Sequence, residues 1–153
     1  MIIDLNTFTD ERGSLTCIDT KKWEQVNISV NNKKFTFRGM HYQEYPKQEK
    51  QIIVTRGKII DFIYNLKTKT LEAYALGEGE CVHVSKDSAH GFLTLEDDTT
   101  VTYLVKGKYN PSKEKSIVCV PFYEDKNQTL NSIINLFFRS KKIPISQQLI
   151  NVL

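Results

Sequence analysis

Lys58-Ile59-Ile60-Asp61-Phe62-Ile63-Tyr64-Asn65-Leu66 is the stretch that decides the fold. Successive side chains of an extended strand point to opposite faces, so Ile59, Ile60, Phe62, Ile63 and Tyr64 put apolar groups on both sides. A strand apolar on both sides belongs in the middle of a sandwich, where each face meets packing. Asp61 interrupts the run, and a carboxylate there needs a partner or a pocket. A hydrogen-bonded core aspartate and a functional group are both open readings of it.

Working outward, the run is one of a series. Upstream, residues 51–55 are a β-rich piece set off by Arg56-Gly57. Residues 27–30 alternate like a strand, and 15–18 follow the turn Asp10-Glu11-Arg12-Gly13-Ser14. Lys34-Phe35-Thr36-Phe37 also alternates and leads into Phe37-Arg38-Gly39-Met40-His41-Tyr42-Gln43, with a polar loop containing Pro46 beyond it. Downstream, 71–76, 81–85, 91–95, 100–105 and 116–120 are further strands, separated by turns such as Gly77-Glu78-Gly79-Glu80. Short strands recurring at roughly 8–12 residues and joined by polar or glycine turns predict an antiparallel sandwich or barrel. Residues 20–26 are predicted to hold a helical turn, capped by Thr20 and anchored by Trp23. The last part changes character: 130–139 is apolar at close to helical spacing and predicts one or two short helices, and 146–153 a last helical turn. No repeat, low-complexity tract or linker divides the chain. The expectation is one domain over 1–153, mainly β, with a core of about 8–125 and a helical extension over 126–153.

The 153 residues are 40% hydrophobic and 25% charged, which suits an ordinary globular domain with a real core. A net charge of +3 does not mark a nucleic-acid binder, and it does not repel a small anion. Met1-Ile2-Ile3-Asp4-Leu5 lacks the cationic and apolar regions of a signal peptide. No window approaches the ~18 apolar residues of a membrane span. Cys17, Cys81 and Cys119 are odd in number and far apart, which fits reduced thiols in a cytoplasmic protein.

The chemistry gathers around Phe37–Gln43. As a regular strand it would put Gly39, His41 and Gln43 on one face, and Met40 and Tyr42 on the other. That suits a strand lining a pocket. A metal site would draw on His41, Gln43 and His90, but it needs three or four convergent ligands. Gln43 is an uncommon ligand and no Glu follows at a useful spacing. His83, between Val82 and Val84, decorates one face of a strand. The alternative is metal-free acid–base chemistry: a base near neutral pKa, an acid on the other side of the substrate, and a cation for developing negative charge. His41 supplies the base, Lys50 reaches back into the same mouth, and Tyr103 or Tyr109 offers a phenolic proton.

These residues, in order, resemble the dTDP-4-dehydrorhamnose 3,5-epimerase family of cupin-type jelly rolls. Phe8-x-Asp10-x-Arg12-Gly13 is similar to the family's opening turn, and Gln25-x-Asn27-x-Ser29 to its QxNxS strand. Arg38-Gly39-Met40-His41-Tyr42-Gln43 resembles its RGxHxQ signature, and Ala89-His90-Gly91-Phe92 its AHGF. Lys50 falls where the family carries an active-site lysine, Gly57-x-x-x-Asp61 resembles its GxxxD, and Tyr103 with Tyr109 its YxxxxxY.

The resemblance implies inversion of carbon 3, carbon 5 or both in a nucleotide-linked 4-keto-6-deoxy sugar, within deoxysugar biosynthesis. His41 would abstract the acidic proton beside the carbonyl, Lys50 would hold the enolate oxygen, and Tyr103 would return a proton to the other face. No metal or redox cofactor is implied. Arg12 and Arg38 would bind the diphosphate, and Gln25, Asn27, Gln43, His90 and Tyr109 would contact the substrate. A homodimer exchanging N-terminal strands is implied as well.

The chain also departs from the family. The family's late SxKD segment supplies an Asp to the base histidine. Ile145-Ser146-Gln147-Gln148-Leu149 has none, so either another group serves or His41 is a poorer base; Asp61, in the adjacent strand, is the candidate partner of His41. The family's base-stacking aromatic is replaced near Leu15, and Cys17 stands where it has an acidic residue. Two other readings compete: a 3,4-ketoisomerase on the same fold, whose motif has a second His where Gln43 stands, and a non-catalytic sugar-nucleotide binder.

Overall fold

The computed structural model of the chain describes residues 2–11, 13–117 and 142–144. Its strands in chain order are β1 (Ile2–Ile3), β2 (Asn6–Asp10), β3 (Gly13–Cys17), β4 (Gln25–Asn31), β5 (Phe37–Gln43), β6 (Glu49–Arg56) and β7 (Lys58–Asn65). There follow β8 (Thr70–Gly77), β9 (Cys81–Val84), β10 (Ser88–Thr94), β11 (Thr99–Lys106), β12 (Glu114–Ser116) and β13 (Lys142–Pro144). They form a five-stranded sheet in the order β1-β9-β6-β11-β4 and a six-stranded sheet in the order β12-β5-β10-β7-β8-β13. β2 and β3 pair with each other as a separate hairpin. All these pairings are antiparallel. The result is a β-sandwich, one of the two forms the strand pattern anticipates, and the jelly roll that the resemblance implies.

β7 behaves as its sequence requires. Ile59 and Ile63 face the other sheet and pack with Ile52, Val54, Val82, Val84, Phe92 and Val101. Ile60 and Phe62 face the opposite way and pack with Met40, Leu71, Ala73, Ala75, Ala89 and Leu93. Burying a side chain the size of Phe62 or Ile60 contributes about 1.5–3 kcal/mol each, so this strand anchors both layers.

The local expectations differ from the structure in three places. Residues 20–26 are not helical: Trp23 N–H donates to the Thr20 carbonyl in a turn, and β4 already begins at Gln25. Trp23 is an apolar anchor all the same, packed beside Ile53, Cys81 and Leu104 on the outer face of the five-stranded sheet. The alternating residues 34–36 belong to the turn before β5, where Phe35 has a φ of 61°. Next, of the strand expected over 116–120, Ser116 closes β12 (Glu114–Ser116), Ile117 is not in a strand, and 118–120 lie outside the described residues. The helices expected over 130–139 and 146–153 lie outside the described residues, and Lys142–Pro144 within that extension is a strand on β8. Among the described residues no helix is long and apolar enough to cross a membrane.

Candidate active site

One end of the sandwich opens into a cavity of about 180 Å³ whose walls come from both sheets. From the five-stranded sheet, β4 contributes Gln25 and Asn27, β6 contributes Lys50, and β11 contributes Tyr103 and Val105. The six-stranded sheet faces them with Arg38 and His41 of β5, His90 and Phe92 of β10, and Glu114 of β12.

The β4 and β11 contributions follow from simple alternation. Gln25, Asn27, Ser29 and Asn31 share the inner face of β4, while Val26, Ile28 and Val30 are 53%, 68% and 57% exposed on the outer one. Asn27 lies directly across from Tyr103 in the ladder, and Tyr103 across from Ile52. Gln25 Nε2 donates to Asn27 Oδ1 at 2.7 Å, which ties the two amides together at the cavity wall. Phe92 meets the Tyr103 ring edge-on, with centroids 6.5 Å apart, and so fixes the plane of the phenol.

β5 does not alternate simply. Arg38 and His41 are three apart, yet both line the cavity. The β5–β10 ladder changes register between His90 and Phe92, opposite Gly39. Gly39 has a φ of 143°, and a Cβ there would lie 2.5 Å from the Gly91 Cα. Two glycines therefore let the strands touch and reset the alternation, so that Arg38 joins His41 instead of Met40. His41 sits between Ser116 and His90 across the ladders. No side-chain hydrogen bond holds its ring among the described residues.

The sequence reading gives Asp61 to His41, but the structure gives it to His90. Asp61 Oδ1 lies 2.6 Å from His90 Nε2. Asp61 is fully buried, its Oδ2 has no hydrogen-bond partner among the described residues, and it does not line the cavity. The physical reason is register. Asp61 pairs with Phe92, which puts its side chain diagonally opposite His90, one strand away from β5. Burial raises the Asp61 carboxyl pKa, and the nearby His90 offsets part of that rise.

Gln43 is also reassigned. It is 4% exposed, donates from Nε2 to the Pro46 and Lys108 carbonyls at 2.6 and 2.9 Å, and accepts the Asn110 N–H at 2.8 Å. Its amide is used up in clamping the loop after β5 to the segment after β11, away from the cavity walls. Arg12 lies outside the described residues.

Two cavity residues were not visible in the sequence pattern. Gln48 donates to the Gly107 carbonyl at 3.1 Å beside Lys50. Glu114 accepts a hydrogen bond from the Tyr109 hydroxyl at 3.0 Å, which raises the Tyr109 pKa. Lys50 is pulled the other way: burial lowers its pKa, and the Glu114 charge counters part of that drop. Only the tertiary fold brings β12 against β5, so no local spacing points to Glu114. Among the described residues no group of three or more His, Cys, Asp or Glu side chains is placed to hold a metal ion.

A jelly roll whose open end holds imidazoles, an ammonium and a phenol from facing sheets defines a cupin-type β-sandwich protein with an acid–base pocket. The model of one such family, dTDP-4-dehydrorhamnose 3,5-epimerase, matches residues 1–127, and the chain belongs to that family. It is 32% identical over 101 residues to the dTDP-4-dehydrorhamnose 3,5-epimerase of Mycobacterium tuberculosis, covering 61% of this chain and 50% of that protein. It is 29% identical over 102 residues to a dTDP-4-dehydrorhamnose 3-epimerase of Streptomyces niveus, covering 61% of this chain and 48% of that one. The crystal structure of the Bacillus anthracis dTDP-4-dehydrorhamnose 3,5-epimerase, with TDP and PPi bound, superposes with a TM-score of 0.73 at 30% identity. The superposition covers 82% of this chain and 79% of that one. The chain spans about half the length of these first curated relatives.

Proposed function

We propose that the chain is an epimerase inverting carbon 3, carbon 5 or both of a nucleoside-diphosphate-linked 4-keto-6-deoxy sugar. The observation that carries this reading is the gathering of His41, Lys50, Tyr103 and Arg38 in one cavity, with the imidazole and the phenol on facing sheets. Protons on carbons 3 and 5 are acidic because the carbonyl at carbon 4 accepts the electron pair. His41 takes such a proton and becomes an imidazolium. The electron pair moves onto the carbonyl oxygen, where the Lys50 ammonium stabilises the enolate. The enolate then collapses, and its carbon takes the Tyr103 phenolic proton from the opposite face. The tyrosinate and the imidazolium return to their starting states by proton exchange with solvent.

The Asp61 carboxylate orients His90 beside the carbonyl oxygen, and Gln25, Asn27 and Tyr109 contact the sugar. Arg38 takes the diphosphate, since its planar fork matches phosphate oxygens. The reaction runs in the cytoplasm, in keeping with the free thiols of Cys17 and Cys81.

The chain works as a homodimer. Among the described residues the β2–β3 hairpin pairs only with itself, and its cross-strand pair Phe8 and Leu15 is 65% exposed at each residue. Among the described residues β4 is a sheet edge, and its outer face is apolar. A second copy is the partner that the family resemblance implies for both.

The test is incubation with a nucleoside-diphosphate 4-keto-6-deoxyhexose, followed by proton NMR. A 4-keto product inverted at carbon 3 or 5 supports the proposal. A 3-keto product would make the chain a ketoisomerase, and an unchanged sugar would make it a binder.

A further inference from the structure

We infer that Asn31, a residue outside the cavity wall, positions Arg38 for the diphosphate. The inference rests on the nucleotide-sugar reading above and deepens it.

Arg38 stands on the six-stranded sheet and Asn31 at the end of β4 on the other. The Arg38 Nε donates to Asn31 Oδ1 at 2.5 Å, so this bond spans the gap between the sheets at the cavity. Asn31 is itself held on its other side. Its Nδ2 donates to the Thr99 carbonyl at 3.1 Å and to the Ser29 carbonyl and hydroxyl at 3.2 and 3.4 Å, and the residue is 2% exposed.

The support extends one step further. Thr99 is fully buried, its hydroxyl donates to the Glu96 carbonyl at 2.9 Å, and its side chain fills the space that a Cβ on Gly57 would enter. Gly57, at a φ of 84°, leaves that space open at the β6–β7 turn. The β6–β7 turn thus backs Thr99, Thr99 backs Asn31, and Asn31 holds the guanidinium.

The chemistry explains why the bond goes to Nε. A guanidinium held there keeps both terminal nitrogens free for a bidentate contact with phosphate oxygens. An exposed arginine without such a brace spends rotamer entropy on every binding event. Asn31 removes that cost before the ligand arrives.

The test measures TDP affinity, and kcat and KM for the keto sugar, in wild type, Asn31→Leu, Arg38→Ala and the double variant. Thermal unfolding checks that each is folded. Asn31→Leu is expected to weaken TDP binding and raise KM about tenfold while kcat stays within about threefold, because it removes uniform binding. In the Arg38→Ala background the same change should have no further effect. If Asn31→Leu does not fold, Asn31→Ser, whose hydroxyl is too short to reach the guanidinium, should show the same coupling.

Unchanged KM and TDP affinity, a fall in kcat alone, or losses that add in the double variant would overturn the inference. Wild type that binds neither TDP nor the sugar would instead overturn the nucleotide-sugar reading itself.

Discussion

Lys50 is the residue whose charge state limits the proposed chemistry. Its ammonium must be present to hold the enolate, yet burial lowers its pKa from the ordinary 10.5. Cationic Lys50 therefore disappears as pH rises through the lowered value, and the alkaline limb of kcat is expected below the ordinary lysine range. Glu114 counters the effect of burial, so Glu114→Gln should move that limb to lower pH still. A pH–rate profile of the two proteins reads this directly, and a limb that moves to higher pH would contradict the role given to Glu114. At this scale the sequence showed residue types but not their partners. His41, Lys50, Tyr103 and Arg38 were legible because short motifs fix them on strands. The partner of Asp61 was not, because a diagonal contact depends on which strand lies next to β7 and in which register. Gln43 misled for a related reason: its position in the strand was right, but a loop distant in sequence uses its amide.

Among the elements, β5 and β10 carry the most demanding requirement. The Gly39–Gly91 contact leaves no room for a Cβ, since one on Gly39 would meet the Gly91 Cα at 2.5 Å. Gly39→Ala is expected to lower stability by about 2–4 kcal/mol through backbone displacement in a packed sheet. The same change should disturb Arg38 and His41 together, since the register shift puts both in the cavity. Chemical denaturation and activity measured on one preparation would check both effects. Stability within ~0.5 kcal/mol of wild type would show that the sheets yield more easily than their geometry suggests. The fold class was readable at this scale because 58–66 is apolar on both faces and the turns around it are polar. β2 was not, since Asn6-Thr7-Phe8-Thr9-Asp10 is mostly polar and makes a strand only by pairing with β3. Thr20 and Trp23 imitated a helix start, but 20–24 only turns the chain before β4, while Trp23 packs on the outer face of the sheet.

For the whole molecule, the exposed apolar residues point to assembly. Val26, Ile28 and Val30 form one outward stripe on β4, an edge strand among the described residues, and single soluble domains rarely leave such stripes bare. Light scattering is expected to give about twice the chain mass of 17.7 kDa, and Ile28→Glu should shift the protein toward the single-chain mass. A monomer at micromolar concentration would set the stripe aside as an interface.

The claim that organises the molecule is that two facing sheets bring a base and an acid to opposite sides of one carbon. Tyr103→Phe tests it most directly, with the keto sugar in deuterated water and NMR to read both isotope and configuration. Deuterium is expected to enter at carbon 3 or 5 while the configuration is retained, because His41 still removes the proton and only the opposite-face donor is missing. Inversion proceeding at the wild-type rate without Tyr103 would contradict it.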